Sequence, residues 1–165
     1  MWKLDFQADC DIVDVHTDAN WCGCRLSRKS TSGGAISKGA HLIKTWSKTQ
    51  AILAKSSAES ELYGVVKGAC EGLGVTTLLR DLGVVDPRAR MHVDASAAKG
   101  IIVRNGLNDL RHVELDILWL QEQEARRILP LHKVVGTENV ANLGTKSLCL
   151  LYTSPSPRDQ RGSRM

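Results

Sequence analysis

Acidic side chains at three separate places in this chain could act together if the fold brought them to one point. Asp18 follows the β-branched run DIVDVHT, Glu61 lies in SSAESELYG, and Asp94 follows RMHV. Three carboxylates converging at one end of a sheet repel one another unless cations hold them, so the arrangement implies divalent metal bound by hard oxygen ligands. Two ions about 4 Å apart would clamp the attacking water and the leaving oxygen of a phosphodiester in an in-line displacement.

The elements that must position these acids can be read locally. Asp11–Thr17 is a strand leading into Asp18, and Arg90–Val93 is a short strand ending at Asp94. Ser56 is a good N-cap, and Glu59 three residues on can reach back to the cap amide, so a helix begins near Ala58. Ala58, Leu62, Val65, Val66, Ala69 and Leu73 fall within one arc of about 100°, the face such a helix buries. Glu61 lies about 40° outside that arc and Glu59 about 20° outside it on the other side, so geometry alone does not choose between them. Glu59 has local work at the cap. Glu61 has only Ser57 and Val65 four residues away, and it is either a solvated edge residue or a carboxylate aimed at a metal.

Between the acids, Gly34–Ser37 and His41–Ser47 read as strands around the turn at Lys38-Gly39-Ala40. Val75–Leu82 reads as a second helical piece after Gly72 and Gly74. Ala95–Arg104 and His112–Arg126 follow as helices, Ile128–Val135 as a last strand, and a short helix opens at Thr137 or Glu138. The fold class is α/β, a mixed sheet with helices packed on it. The loop before the second strand carries Arg25, Arg28, Lys29, Ser30 and Ser32, which supply the charge and short donors that phosphate contacts need.

The chain has 165 residues and 42% apolar content, enough for one domain with a proper core. Neither a membrane-length apolar run nor a signal peptide is evident, so a cytoplasmic or nuclear setting without membrane is expected. The odd, irregularly spaced cysteines do not form a disulfide framework, and Cys22-Gly23-Cys24 lacks the second pair that a structural zinc site needs. Of the net charge of +4, half lies in the tail 149–165, with Arg158, Arg161 and Arg164 against Asp159. The remainder permits contact with a polyanion without requiring one.

The blocks TDANWCGCRLSRKSTSGG, HLIKTWSKTQ, SSAESELYG, HVDASAAKG, RHVELDILWLQE and TENVANLGTKSL resemble, in this order, the ribonuclease H domain that closes the polyprotein of copia-type LTR retrotransposons. The resemblance runs from about Phe6 to Leu148. It implies an RNase H-like fold: a five-stranded mixed sheet, three antiparallel strands followed by two parallel ones, with helices on both faces. It also implies metal-dependent hydrolysis of the RNA strand of RNA–DNA hybrids during reverse transcription, using two Mg²⁺ ions, with Mn²⁺ as a substitute. By position, Asp18, Glu61 and Asp94 match the family's catalytic, metal-binding acids, and Glu59 matches a non-catalytic one. The fourth acid is replaced: the family pattern resembles ENPADLLTK, and this chain has ENVANLGTK, with Asn142 at the catalytic position. Val140 in place of proline and Gly144 within the same helix are expected to loosen it. Lys48 and His112 join the loop residues as expected nucleic-acid contacts. The implied partners are an RNA–DNA hybrid and the reverse transcriptase domain of the same polyprotein, and the implied location is a cytoplasmic retrotransposon particle or the nucleus. Residues 1–10 read as a remnant of the connection to the reverse transcriptase and 11–148 as the domain. Residues 149–165 read as a disordered, non-native tail resembling a translated sequencing adapter.

Overall fold

The structure is a computed structural model that describes residues 11–24, 26–94, 96–103 and 114–146. Its elements are β1 (Ile12–Asn20), β2 (Thr31–Lys38), β3 (His41–Thr49), α1 (Ser57–Asp81), β4 (Arg88–Val93), α2 (Ser96–Val103), α3 (Glu114–Ala125), β5 (Leu131–Lys133) and α4 (Asn142–Thr145). The strands form one sheet in the order β3-β2-β1-β4-β5. β1–β2 and β2–β3 pair antiparallel, and β1–β4 and β4–β5 pair parallel, the mixed five-stranded arrangement expected. No helix among the described residues is long and apolar enough to cross a membrane.

β1 is central, and its alternation sets the two faces. Val13 and Val15 are fully buried with Leu62 and Val65 of α1, Ile102 of α2, and Ile117 and Leu120 of α3 in one core cluster. Thr17 continues that face, since its methyl lies where a Cβ on Gly68 of α1 would stand. Asp18, one residue on, points to the opposite face and meets Thr145 of α4. Helices therefore cover both faces, and Asp18 sits where β1 runs under α4.

The two helical pieces expected around Gly72 are one continuous helix of 25 residues. The glycines serve packing rather than breaking. A Cβ on Gly68 would lie 2.3 Å from Thr17 Cγ2, and one on Gly72 would lie 2.6 Å from Val15 Cγ2. Gly64, Gly68 and Gly72 recur every fourth residue, so they form one side-chain-free stripe along which α1 lies against β1. Gly74, exposed with nothing within 4 Å of its would-be Cβ, has no such role.

Other differences have equally local causes. β1 extends past Asp18 to Asn20 because Thr31 and Ser32 of β2 continue the ladder. β5 is much shorter than Ile128–Val135, since the amides of Ile128 and Leu129 turn back to the Gln123 carbonyl at the end of α3. α4 starts later than Thr137, because buried Asn139 spends its side-chain oxygen on the Ala141 amide (3.2 Å) and closes a turn there. Gly144, expected to loosen α4, lies close against the sheet: a Cβ there would stand 3.0 Å from the Trp46 carbonyl oxygen.

The glycine stripe yields a paired test in urea denaturation. Gly68→Ala is expected to lose roughly 1–3 kcal/mol from overpacking against Thr17. Gly74→Ala in the same helix is expected to gain about 0.5–1 kcal/mol from reduced unfolded-chain entropy. Equal effects at the two positions would contradict the close approach of α1 to β1.

Candidate metal centre

The carboxylates of Asp18, Glu61 and Asp94 come together, each offering an oxygen that lies within 4.8 Å of the others. Each arrives by a different element. Asp18 is 6% exposed and is held in the β1 ladder opposite Gly33 of β2. Asp94 is the first residue beyond β4, whose parallel pairing with β1 sets Val93 beside Thr17. Glu61 projects from the first turns of α1 and accepts a hydrogen bond from the Ala19 amide.

The cluster is electrostatically loaded. Burial, and then the neighbouring charges of Asp18 and Asp94, push the Glu61 carboxyl up from 4.5 to about 8. A proton or a cation must therefore neutralise the site near neutral pH. The donor set is all carboxylate oxygen, which suits a hard divalent cation. Asp14, four residues before Asp18 on the same face of β1, is no part of this cluster. Its carboxylate accepts from Arg90 Nε at 2.7 Å and contacts His92 Nε2 at 2.6 Å.

Glu59 and Glu61, indistinguishable by helical angle alone, part company here. Ser56 is the N-cap, its hydroxyl accepting from the Glu59 amide at 3.2 Å. The Glu59 side chain closes the helix end as expected, one residue further back: it accepts from the Lys55 amide at 2.8 Å and from the Tyr63 hydroxyl at 3.2 Å. It is fully buried.

α4 borders the site on its other side. Asn142 stands there, and its side-chain amide donates to the Gly136 carbonyl. Gly136 is itself close to the cluster, since a Cβ there would stand 3.4 Å from Asp94 Oδ2. Three residues beyond Asn142, the Thr145 hydroxyl donates to Asp18 Oδ2. Asn139 anchors the segment through its amide to the Thr17 carbonyl at 2.9 Å. Sequence reasoning passed over both Asn139 and Thr145. For Thr145, the i, i+3 spacing from Asn142, which puts both on one face of a helix, was an available signal.

The expected nucleic-acid contacts separate by burial. Ser30 and Ser32 are 1% and 3% exposed, and their hydroxyls serve the protein itself. Ser30 Oγ accepts from the Cys22 amide at 3.2 Å, and Ser32 Oγ accepts from Gln50 Nε2 at 2.8 Å. The β1–β2 turn folds them inward because the Gln50 amide also bonds the Ser30 carbonyl and joins β3 to that turn. Arg28 and Lys48 are exposed and Lys29 half-buried. Arg25 and His112 lie outside the described residues.

The Glu61 shift has a signed consequence for the metal-free protein. Glu61 titrates near 4.5 when unfolded and about 8 when folded, so the folded state holds the extra proton between those values. The Glu61 contribution to stability is then fullest below pH 4.5 and is lost as pH rises toward 8. Thermal melts in chelator across that range are expected to show the decline, and Glu61→Gln is expected to flatten it; an unchanged slope in the variant contradicts the clustering.

No protein-family model matches the chain. It is 26% identical over 145 residues to the retrovirus-related Pol polyprotein from transposon TNT 1-94 of Nicotiana tabacum, a match covering 87% of this chain and 11% of that protein. It is 25% identical over 138 residues to the corresponding polyprotein from transposon RE1 of Arabidopsis thaliana, covering 82% of this chain and 9% of the relative. The chain thus spans about a tenth of the length of these curated relatives. Among solved structures it is similar to LC11-RNase H1, isolated from compost by a metagenomic approach, with a TM-score of 0.59 at 13% identity, covering 81% of this chain and 92% of that one. The same protein solved in complex with an RNA/DNA hybrid aligns with a TM-score of 0.52 at 12% identity, covering 78% and 88%. The chain is therefore homologous to a segment of retrovirus-related transposon Pol polyproteins, and it has an RNase H-like fold.

Proposed function

We propose that this domain is a metal-dependent endonuclease that hydrolyses the RNA strand of RNA–DNA hybrids during retrotransposon reverse transcription. The observation that carries this reading is the convergence of Asp18, Glu61 and Asp94 where β1 and β4 end, in a fold shared with RNase H1 proteins. Homology to transposon Pol polyproteins supports the reverse-transcription setting and makes the reverse transcriptase domain of the same polyprotein the natural partner. Asp18 and Asp94 would hold or bridge Mg²⁺, and Glu61 would hold one ion and orient the attacking water. A bound pair of divalent ions, for which Mn²⁺ can substitute, supplies charge to the attacking and leaving oxygens of the phosphodiester.

The remaining work belongs to the chain's own groups. Glu61, carrying a proton when the site is empty near neutral pH, gives it up as positive charge enters. The 2′-hydroxyl distinguishes the strand to be cut. Arg28, Lys29 and Lys48 can meet backbone phosphates with their side chains, a sequence-independent contact that sets register. The inward-facing Ser30 and Ser32 shape that turn instead.

One observation favours a second reading, in which the domain folds and at most binds nucleic acid. Asn142 is neutral where the resembling family has an acid, and its amide nitrogen is committed to the Gly136 carbonyl. The site then has one fewer negative charge for a second ion.

Cleavage of an RNA-labelled hybrid in Mg²⁺ or Mn²⁺ tests both readings. An active wild-type chain is expected to lose on the order of 10²–10³-fold in rate with Asp18→Asn, as several kcal/mol of charge stabilisation disappears. A silent wild type that Asn142→Asp makes active establishes the impaired reading. Cutting of duplex DNA without RNA would overturn both.

A further inference from the structure

Thr145 is not one of the acids, yet its side chain contacts one of them from outside the cluster. Its hydroxyl donates to Asp18 Oδ2, across 127 positions of sequence, with the two residues 7% and 6% exposed. The same hydroxyl lies 3.2 Å from the Asn142 carbonyl oxygen, the ordinary local acceptor for a threonine in the last turn of a helix. A hydroxyl has one proton, so it serves one of these acceptors at a time, and the carboxylate is the stronger. The Thr145 carbonyl is held in turn by Asn20 Nδ2 at 3.3 Å, and Asn139 ties the preceding turn to the Thr17 carbonyl. α4 is thereby clamped to β1 on both sides of Asp18.

We infer that Thr145 is a positioning residue for the metal centre: by bonding one oxygen of Asp18 it stops rotation of that carboxylate and fixes where the other oxygen stands. The inference rests on the metal-dependent reading above and names the residue that orients its first acid. It gives α4 a part in the site that does not need an acid at Asn142. The Asn142 carbonyl oxygen, 3.2 Å from the same hydroxyl, would accept its hydrogen bond if a cation were to displace it from Asp18.

Thr145 also has a purely structural part, and the two can be separated. Its γ-methyl packs over Gly33, where a Cβ would stand 2.8 Å from Thr145 Cγ2. Thr145→Val keeps the methyl packing and removes the donor, whereas Thr145→Ser keeps the donor and removes the methyl. Mn²⁺ binding to the full chain, followed by the electron paramagnetic resonance signal of the free ion, is read beside melting temperature in chelator. Thr145→Val is expected to weaken Mn²⁺ binding about tenfold, the scale of one hydrogen bond to a charged group. Thr145→Ser is expected to bind Mn²⁺ as the wild type does while melting lower. Unchanged Mn²⁺ affinity in Thr145→Val overturns the positioning role alone, as does equal weakening in both variants, which assigns the effect to packing. A wild-type chain that takes up no Mn²⁺ overturns the metal reading and this inference together.

Discussion

Three carboxylates within 4.8 Å of one another repel, and the rest of the structure is arranged to hold them there. Nothing about the acids themselves favours this. Burial and the charges of Asp18 and Asp94 push Glu61 up to about 8, so the empty site keeps a proton that an ordinary carboxylate would have lost. Such a position persists because the surrounding packing over-determines it. On one side α1 is drawn against β1 by the side-chain-free stripe of Gly64, Gly68 and Gly72, and the core formed by Leu62 and Val65 with Val13 and Val15 fixes its rotation. That rotation carries Glu61 to the Ala19 amide and turns Glu59 inward to its own helix end.

The second helix at the site is held by different means. α4 is only one turn long, far too short to persist by its own hydrogen bonds. Polar side chains attach it: Asn139 to the Thr17 carbonyl, Asn20 to the Thr145 carbonyl and Thr145 to Asp18. Its backbone also settles against Gly33 and the Trp46 carbonyl because Gly33 and Gly144 carry no side chain. An amide rather than an acid at Asn142 leaves in place the contacts that hold α4 against the site. Retention of the fold and impairment of chemistry are compatible in this chain.

Much of this was legible in the residues. Hydrophobic alternation and the Ser56 cap locate β1 and α1, and Asp18 and Asp94 follow the two strands expected at Asp11–Thr17 and Arg90–Val93. Block resemblance implies the five-stranded mixed sheet and separates Glu61 from Glu59. What was not legible depends on contacts between distant segments. Gly72 reads locally as a helix breaker, and only the nearness of Val15 explains why it lies inside a continuous helix. Ser30 and Ser32 read as surface donors, and only the partners Cys22 and Gln50 turn them inward. The strand expected over Ile128–Val135 shortens because the end of α3 captures its first amides. For Thr145 the spacing from Asn142 places it on the same helix face, but its acceptor lies 127 residues away and cannot be read locally.

The central claim is that Asp18, Glu61 and Asp94 form a binding centre for divalent cations. Crystals soaked in Mn²⁺ and measured at the manganese absorption edge test it most directly, because the anomalous signal locates the ion independently of any activity. The expected result is Mn²⁺ in contact with carboxylate oxygens of all three residues. Anomalous density absent from this cluster, or found only elsewhere on the molecule, would contradict it.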